Sequence, residues 1–270
     1  MVARIRLDNI LLNTLSRLYK SAFLVYGNPH KQISPYSYLS SYMLNTLKNI
    51  GFLFFPKTCP GCNGYLSISE NILCTECRHV LSVTNFHENL DNILARTLYG
   101  KCQLENATAM FLFRKKSIVQ HLIHNLKYKG QEQVGSLLGV WYGSILQQAK
   151  DYQAIDAIVP VPVHPRRKRQ RGYNQVTKFA TELALALEVP YLEDVLIRTR
   201  YTKTQTFKNR LLRQYNKNVF SLHKKNTHVP KHILLVDDVI TTGATIVNCV
   251  LQLQNIPNVK VSVAAIAFTE

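Results

Sequence analysis

Apolar positions recur along this chain with two different periods. Near the start, Ile10, Leu11, Leu15 and Leu18, with Leu12 and Tyr19, fall at helical spacing, and Tyr38, Leu39, Tyr42, Met43 and Leu47 do so again. Gly27-Asn28-Pro29 and Ser34-Pro35 interrupt the pattern. The spacing predicts two amphipathic helices within 1–56, flanked by basic residues, that pack on a neighbouring domain, a partner or a membrane surface. From about residue 104 apolar strands alternate with helices. Ala107–Phe113, Ile155–Val163, Ile233–Val236 and Lys260–Phe268 read as strands. Ser117–Tyr128, Val134–Ala149, Asn174–Leu187 and Thr245–Gln254 read as helices. Continuously apolar strands separated by helices predict an α/β fold, a mostly parallel sheet flanked by helices on both faces. Ligands of such folds sit beyond the carboxyl ends of the strands, so functional residues are sought there.

Composition narrows the picture. At 270 residues the chain suits about two domains. Its densest apolar run, Ile50–Phe55, is far short of the roughly 18 residues of a transmembrane helix. Thirty-three Lys and Arg against 16 Asp and Glu give a net charge of +17, a field that attracts phosphate-bearing partners. Between 160 and 232 there are 16 basic and 4 acidic side chains. Tyr173, Tyr201, Phe207 and Tyr215 are interleaved with them and could stack on unpaired bases. This predicts a single-stranded nucleic-acid groove that includes Arg166, Arg167, Lys168, Arg169, Tyr173, Lys203, Lys208 and Arg210.

Four of the six cysteines form a pattern, Cys59-x2-Cys62 and Cys74-x2-Cys77, separated by eleven residues. Duplicated Cys-x-x-Cys knuckles predict a tetrahedral Zn²⁺ held by four thiolates in a ribbon-like module at 57–90, with a tight connecting hairpin. Neither two disulfides nor one redox pair explains the duplication. Asp8, Asn9, Asn13 and Arg17 break any signal-peptide core, so a reducing cytoplasm is expected. Cys102 and Cys249 lie in apolar surroundings and read as buried small hydrophobes.

The segment from Ile233 to Thr245, ILLVDDVITTGAT, is the most informative. A buried strand delivers Asp237 and Asp238 to the sheet edge. Thr241, Thr242, Gly243, Ala244 and Thr245 then offer amides and hydroxyls at a helix start, which suits a phosphate monoester. Two acids beside a phosphate cradle repel it unless they bind hydroxyls or a cation, which ribose hydroxyls and Mg²⁺ supply. The segment therefore reads as a binder of a 5-phosphoribosyl group. No lysine follows Gly243 as a P-loop requires. A receiver domain would be expected to continue well past the 32 residues that follow Asp238.

This segment resembles the phosphoribosyl pyrophosphate (PRPP) signature of type I phosphoribosyltransferases, and with the cysteine knuckles upstream the chain resembles the ComF family of competence proteins. Leu126-Lys-Tyr-Lys-Gly130, Ile158-Val-Pro-Val-Pro-Val-His164 leading to Arg171-Gly-Tyr-Asn-Gln175, and Thr204-Gln205 with Arg210 and Asn218-Val-Phe220 carry the likeness over about 57–270. The resemblance implies a phosphoribosyltransferase-like domain at 104–270 behind a zinc ribbon, and says little of 1–56. It implies that Asp237 and Asp238 hold ribose hydroxyls with Mg²⁺ and that residues 241–245 cradle the 5-phosphate. The loop after the strand, with Pro162, Val163, His164 and Arg171, would meet pyrophosphate, and Arg198–Phe220 would contain a mobile hood. His164 could equally be a satisfied structural residue. The function so implied is a cytoplasmic PRPP- and single-stranded-DNA-binding factor in natural transformation. Its implied partners are a helicase-like ATPase and recombination-loading proteins. The alternative is an active phosphoribosyltransferase with an unidentified acceptor.

Overall fold

The computed structural model describes residues 56–199, 219–223 and 230–270. The predicted helices within 1–55 lie outside these, as do Tyr201, Lys203, Phe207, Lys208, Arg210, Tyr215 and most of the hood segment. The chain divides into two compact units, Met1–Pro56 and Lys57–Glu270.

The second unit opens with helix α1 (Thr75–Val80), a 3₁₀ turn at Phe86–Glu88 and helix α2 (Ile93–Leu98). Strand β1 (Ala107–Leu112) is followed by helices α3 (Ile118–Tyr128) and α4 (Glu132–Gln148). Strand β2 (Ala157–Pro160) leads to helices α5 (Pro165–Arg171) and α6 (Thr177–Ala186). Short strands β3 (Leu196–Arg198) and β4 (Phe220–Leu222) pair with each other, antiparallel. Strand β5 (His232–Ile240), helix α7 (Ala244–Leu253) and strand β6 (Lys260–Phe268) complete it. The main sheet is parallel throughout, in the order β1-β6-β5-β2.

Both faces of this sheet are buried, as its unbroken apolar strands require. Because side chains alternate along a strand, Leu234 and Val236 join one core with Leu126, Val134 and Phe179 of α3, α4 and α6. Ile233 and Leu235 face the other way, onto Leu98 of α2 and Ile246, Cys249 and Val250 of α7. Each buried aliphatic side chain contributes ~1.5–3 kcal/mol. Cys59, Leu73 and Cys77 belong to the first of these cores, so the cysteine module packs directly on the α3 side of the sheet. Cys249 is buried as expected, whereas Cys102 is partly open.

Three elements depart from the periodicity. The basic run after β2, expected as a loop, is helix α5. His164 accepts a hydrogen bond from the Arg166 N–H at 3.1 Å and caps it, Pro165 pre-sets its first φ, and Gly172 ends it at φ 82°. Strand β2 is shorter than 155–163, its ladder with β5 ending at the Pro160–Val236 pair. Strand β5 runs beyond Val236 to Ile240, because β6 pairs with it along its whole length. Asp237 and Asp238 therefore lie within the strand.

Candidate functional site

The unequal lengths of β5 and β2 create the site. Val236 is in register with Pro160, the last residue of β2, while β5 continues for four more residues. Past Pro160 only Val161 still bonds β5, its N–H donating to the Val236 carbonyl at 2.8 Å. A cleft of about 510 Å³ opens there, at the carboxyl ends of the strands. Its walls are Asp237, Asp238 and Thr245 on one side, Val161–Val163 with Arg167 and Arg171 of α5 on another, and Lys127 and Tyr128 at the end of α3. Arg198 of β3 also reaches it.

The acid pair is nearly buried, Asp237 at 8% and Asp238 at 5% exposure. Lys127 Nζ lies 2.8 Å from Asp238 Oδ1. Asp238 Oδ2 is buried and has no hydrogen-bond partner. Asp237 Oδ1 accepts the Asp238 N–H at 2.8 Å. Burial, then the adjacent Asp238 charge, push the Asp237 carboxyl up to about 7, against the pull of Lys127 and Arg198. Behind it Cys249 is fully buried, and its thiol is raised well above the usual range by that burial and by the Asp237 charge.

The cleft is basic apart from the acids, since Lys127, Arg167, Arg171 and Arg198 line it. Helical spacing sorts the residues of α5. Arg167, Gln170 and Arg171 face the cleft, whereas Lys168 and Arg169 face a separate cavity of about 320 Å³, where Lys168 pairs with Glu193 at 2.9 Å. Arg171 is held over the Tyr128 ring, 5.2 Å from its centroid, and donates to Gln175 Oε1 at 2.7 Å. The Tyr173 hydroxyl donates to the Leu126 carbonyl, which ties the chain after α5 to the end of α3.

Of the residues singled out in the sequence, the structure gathers Asp237, Asp238, Thr245, Pro162, Val163, Arg167, Arg171 and Tyr173 around one cleft. Thr241, Thr242 and Ala244 are not in its wall, and both threonines are exposed. His164 is spent on capping α5. At Gly243 packing makes its own demand: φ is 75°, and a Cβ there would meet Leu98 Cδ2 at 2.4 Å. Lys127, Gln175 and Arg198 went unassigned in the sequence reading. Lys127 and Gln175 stand in stretches that carried the family likeness, which was the available signal.

The four knuckle cysteines also converge. Their Sγ atoms all lie within 4.8 Å of one another. Cys62 and Cys74 Sγ are 3.7 Å apart, close to the ~3.8 Å edge of a tetrahedron with 2.3 Å Zn–S bonds. Amide donors at 3.4 Å reach Cys59, Cys62 and Cys74 Sγ, the arrangement that stabilises thiolates. Burial would raise the Cys59 thiol, but the donors of Cys74, Cys62 and Gly61 bring it down to about 7. The second knuckle is the N-terminus of α1, capped by Cys74, and not the far arm of the expected hairpin. The cysteines are positioned to hold a metal ion.

No family model matches the chain. Over 209 residues it is 30% identical to competence protein F of Haemophilus influenzae, which covers 72% of this chain and 89% of that protein. The chain belongs to the ComF family. It is 28% identical over 185 residues to competence protein ComFC of Streptococcus pneumoniae, covering 66% of this chain and 79% of that one. It is 35% identical over 132 residues to the DNA utilization protein YhgH of Escherichia coli K12, covering 46% and 56%. Among solved structures, glutamine PRPP amidotransferase of Bacillus subtilis aligns at TM-score 0.36 and 21% identity, over 53% of this chain and 30% of that one. Adenine phosphoribosyl transferase of Trypanosoma brucei aligns at 0.35 and 15%, over 60% and 71%. The ComF chain combines a four-stranded parallel sheet with a four-cysteine module. No helix among the described residues is long and apolar enough to cross a membrane.

Proposed function

We propose that the cleft of this ComF protein binds PRPP with Mg²⁺, and that the protein also binds single-stranded DNA and acts in handling DNA during natural transformation. The observation that carries the PRPP reading is the buried, unpartnered Asp238 Oδ2 beside the Lys127-paired Oδ1. A buried carboxylate oxygen without a partner is costly, and a ribose hydroxyl or a cation would relieve that cost. In this reading Asp237 and Asp238 take the ribose hydroxyls and Thr245 lies toward the 5-phosphate. Arg167, Arg171 and Lys127 face the pyrophosphate. A polyanion with about four to five negative charges suits a wall with four cations. The volume falls within the ~300–1,000 Å³ of small-molecule sites. Bound Mg²⁺ would supply neutralisation of the pyrophosphate charge. The four cysteines hold a structural Zn²⁺, for which thiolate donors at tetrahedral spacing are the supporting observation.

The DNA reading is supported by the +17 charge, by exposed Arg166, Lys168 and Arg169 on α5, and by relatives named for competence and DNA utilization. Titration calorimetry with PRPP and Mg²⁺, with ribose 5-phosphate as control, tests the cleft. Magnesium-dependent micromolar binding is expected, and Asp237→Ala with Asp238→Ala should abolish it while the fold persists. Unchanged affinity in that double variant would reject the assignment.

A further inference from the structure

The cysteine module and the cleft share one helix. Pro60 and Gly61 are the two residues between Cys59 and Cys62, and both of their carbonyls are bonded by α3. Asn125 Nδ2 donates to the Pro60 carbonyl at 2.6 Å, and His121 Nδ1 hydrogen-bonds the Gly61 carbonyl at 2.7 Å. A Cβ on Gly61 would lie 2.9 Å from Ile118 Cγ2 and 2.9 Å from Cys77 Sγ, so the knuckle backbone rests directly on the first turn of α3. Ile118, His121 and Asn125 stand three and four residues apart and form one face of that helix. Two residues after Asn125 comes Lys127, whose ammonium meets Asp238 in the cleft.

We infer that Asn125 is a positioning residue through which the metal-loaded knuckle sets the place of Lys127 against Asp238. Asn125 is 3% exposed in an apolar core and directs its amide at a carbonyl whose orientation the knuckle fixes. An amide so buried is stable only while that carbonyl is present. The direction of the Pro60–Gly61 backbone depends on Cys59 and Cys62 converging on a single centre. Loss of the metal frees the two cysteines from each other and releases the Pro60 carbonyl. Asn125 then has no buried acceptor, and the last turn of α3 loses the anchor that holds Lys127 at 2.8 Å. Leu126, between Asn125 and Lys127, carries the tie to Tyr173, so the displacement extends into the cleft wall.

The test uses the zinc-loaded 270-residue protein with ¹³C-labelled Asp carboxyls and amide hydrogen exchange, before and after a zinc chelator. The Asp238 carboxyl resonance is expected to move, and the Lys129 amide, which donates to the Asn125 carbonyl, to exchange at least tenfold faster. Asn125→Leu should retain zinc yet show the chelated protein's Asp238 signal without chelator. Should that variant fold poorly, Lys127→Met serves instead: its Asp238 signal should no longer respond to zinc. An Asp238 signal and a Lys129 exchange rate unchanged after zinc leaves a protein that still unfolds cooperatively would overturn the inference. A parallel PRPP titration, which alone rests on the proposed ligand, should show about tenfold weaker binding after chelation. If the holoprotein does not bind PRPP while the Asp238 signal follows zinc, the ligand assignment fails and the coupling stands.

Discussion

Lys127 Nζ lies 2.8 Å from Asp238 Oδ1, a pair with 21% and 7% side-chain exposure at the base of the cleft. The lysine ends α3, the acid sits near the end of β5, and the contact joins the two layers where β2 has already stopped. Lys127 supplies the donor that partners this buried carboxylate oxygen. Lys127→Met should therefore destabilise the protein at pH 8 by roughly 1–3 kcal/mol, since it leaves a buried acceptor without its donor. Urea unfolding measures it, and an unchanged stability would mean that the Lys127–Asp238 contact contributes nothing to the fold.

Asp237 gives the cleft a pH dependence of definite sign. Its carboxyl is raised by folding to about 7. Such a group stabilises the fold fully below the unfolded value near 3.9 and loses that contribution as pH climbs through the folded one. Wild-type protein without ligand should thus lose about 2 kcal/mol relative to Asp237→Asn between pH 5 and pH 8. Magnesium-dependent PRPP binding should move the opposite way and strengthen from pH 6 to pH 8, because Asp237 ionises over that range and then accepts hydroxyls. Parallel stability curves for the two proteins across that range would remove Asp237 as the titrating group.

The acid pair was legible in the sequence because it interrupts an apolar run, Ile233–Val236 before it and Val239 and Ile240 after, which then gives way to the small and hydroxylic Thr241–Thr245. The parallel sheet was legible for the same reason, as runs such as Ile233–Val236 carry no alternation. What the sequence hid depends on contacts far apart in the chain. The length of β5 is set by pairing with β6, and the place of Lys127 by the core that α3 shares with β5. The α5 helix was hidden by composition, because a run of five cations within seven residues has no apolar stripe to report its period. Its caps, His164 with Pro165 and Gly172, were the signal that could have found it.

Gly243 tests the boundary between function and packing. A side chain there must adopt φ near 75° and displace Leu98 Cδ2, which stands 2.4 Å from the position of a Cβ. The left-handed backbone costs ~1–2 kcal/mol and the overlap ~1–3 kcal/mol. Gly243→Ala should therefore lower stability by about 2–5 kcal/mol, and adding Leu98→Ala should recover the overlap part as a coupling in a double-mutant cycle. Chemical denaturation of the four proteins decides it. Additive losses would mean that Leu98 is not what Gly243 accommodates.

Helix α5 divides its charges between two surfaces, and substitution should divide the two proposed functions. Arg167 and Arg171 line the cleft and are half-buried, while Arg166 and Arg169 are exposed. Arg167→Ala with Arg171→Ala should weaken PRPP binding at least tenfold, since two charge-assisted contacts to pyrophosphate go at once. Arg166→Ala with Arg169→Ala should leave PRPP affinity within about twofold. On single-stranded DNA this second pair should lower the slope of log affinity against log salt by about 1.4, at ~0.7 per phosphate contact. Fluorescence anisotropy across a salt series and calorimetry with PRPP read the two effects separately. If both double variants lose both ligands in proportion, α5 acts as a single cationic surface, and PRPP and DNA phosphates then compete for it.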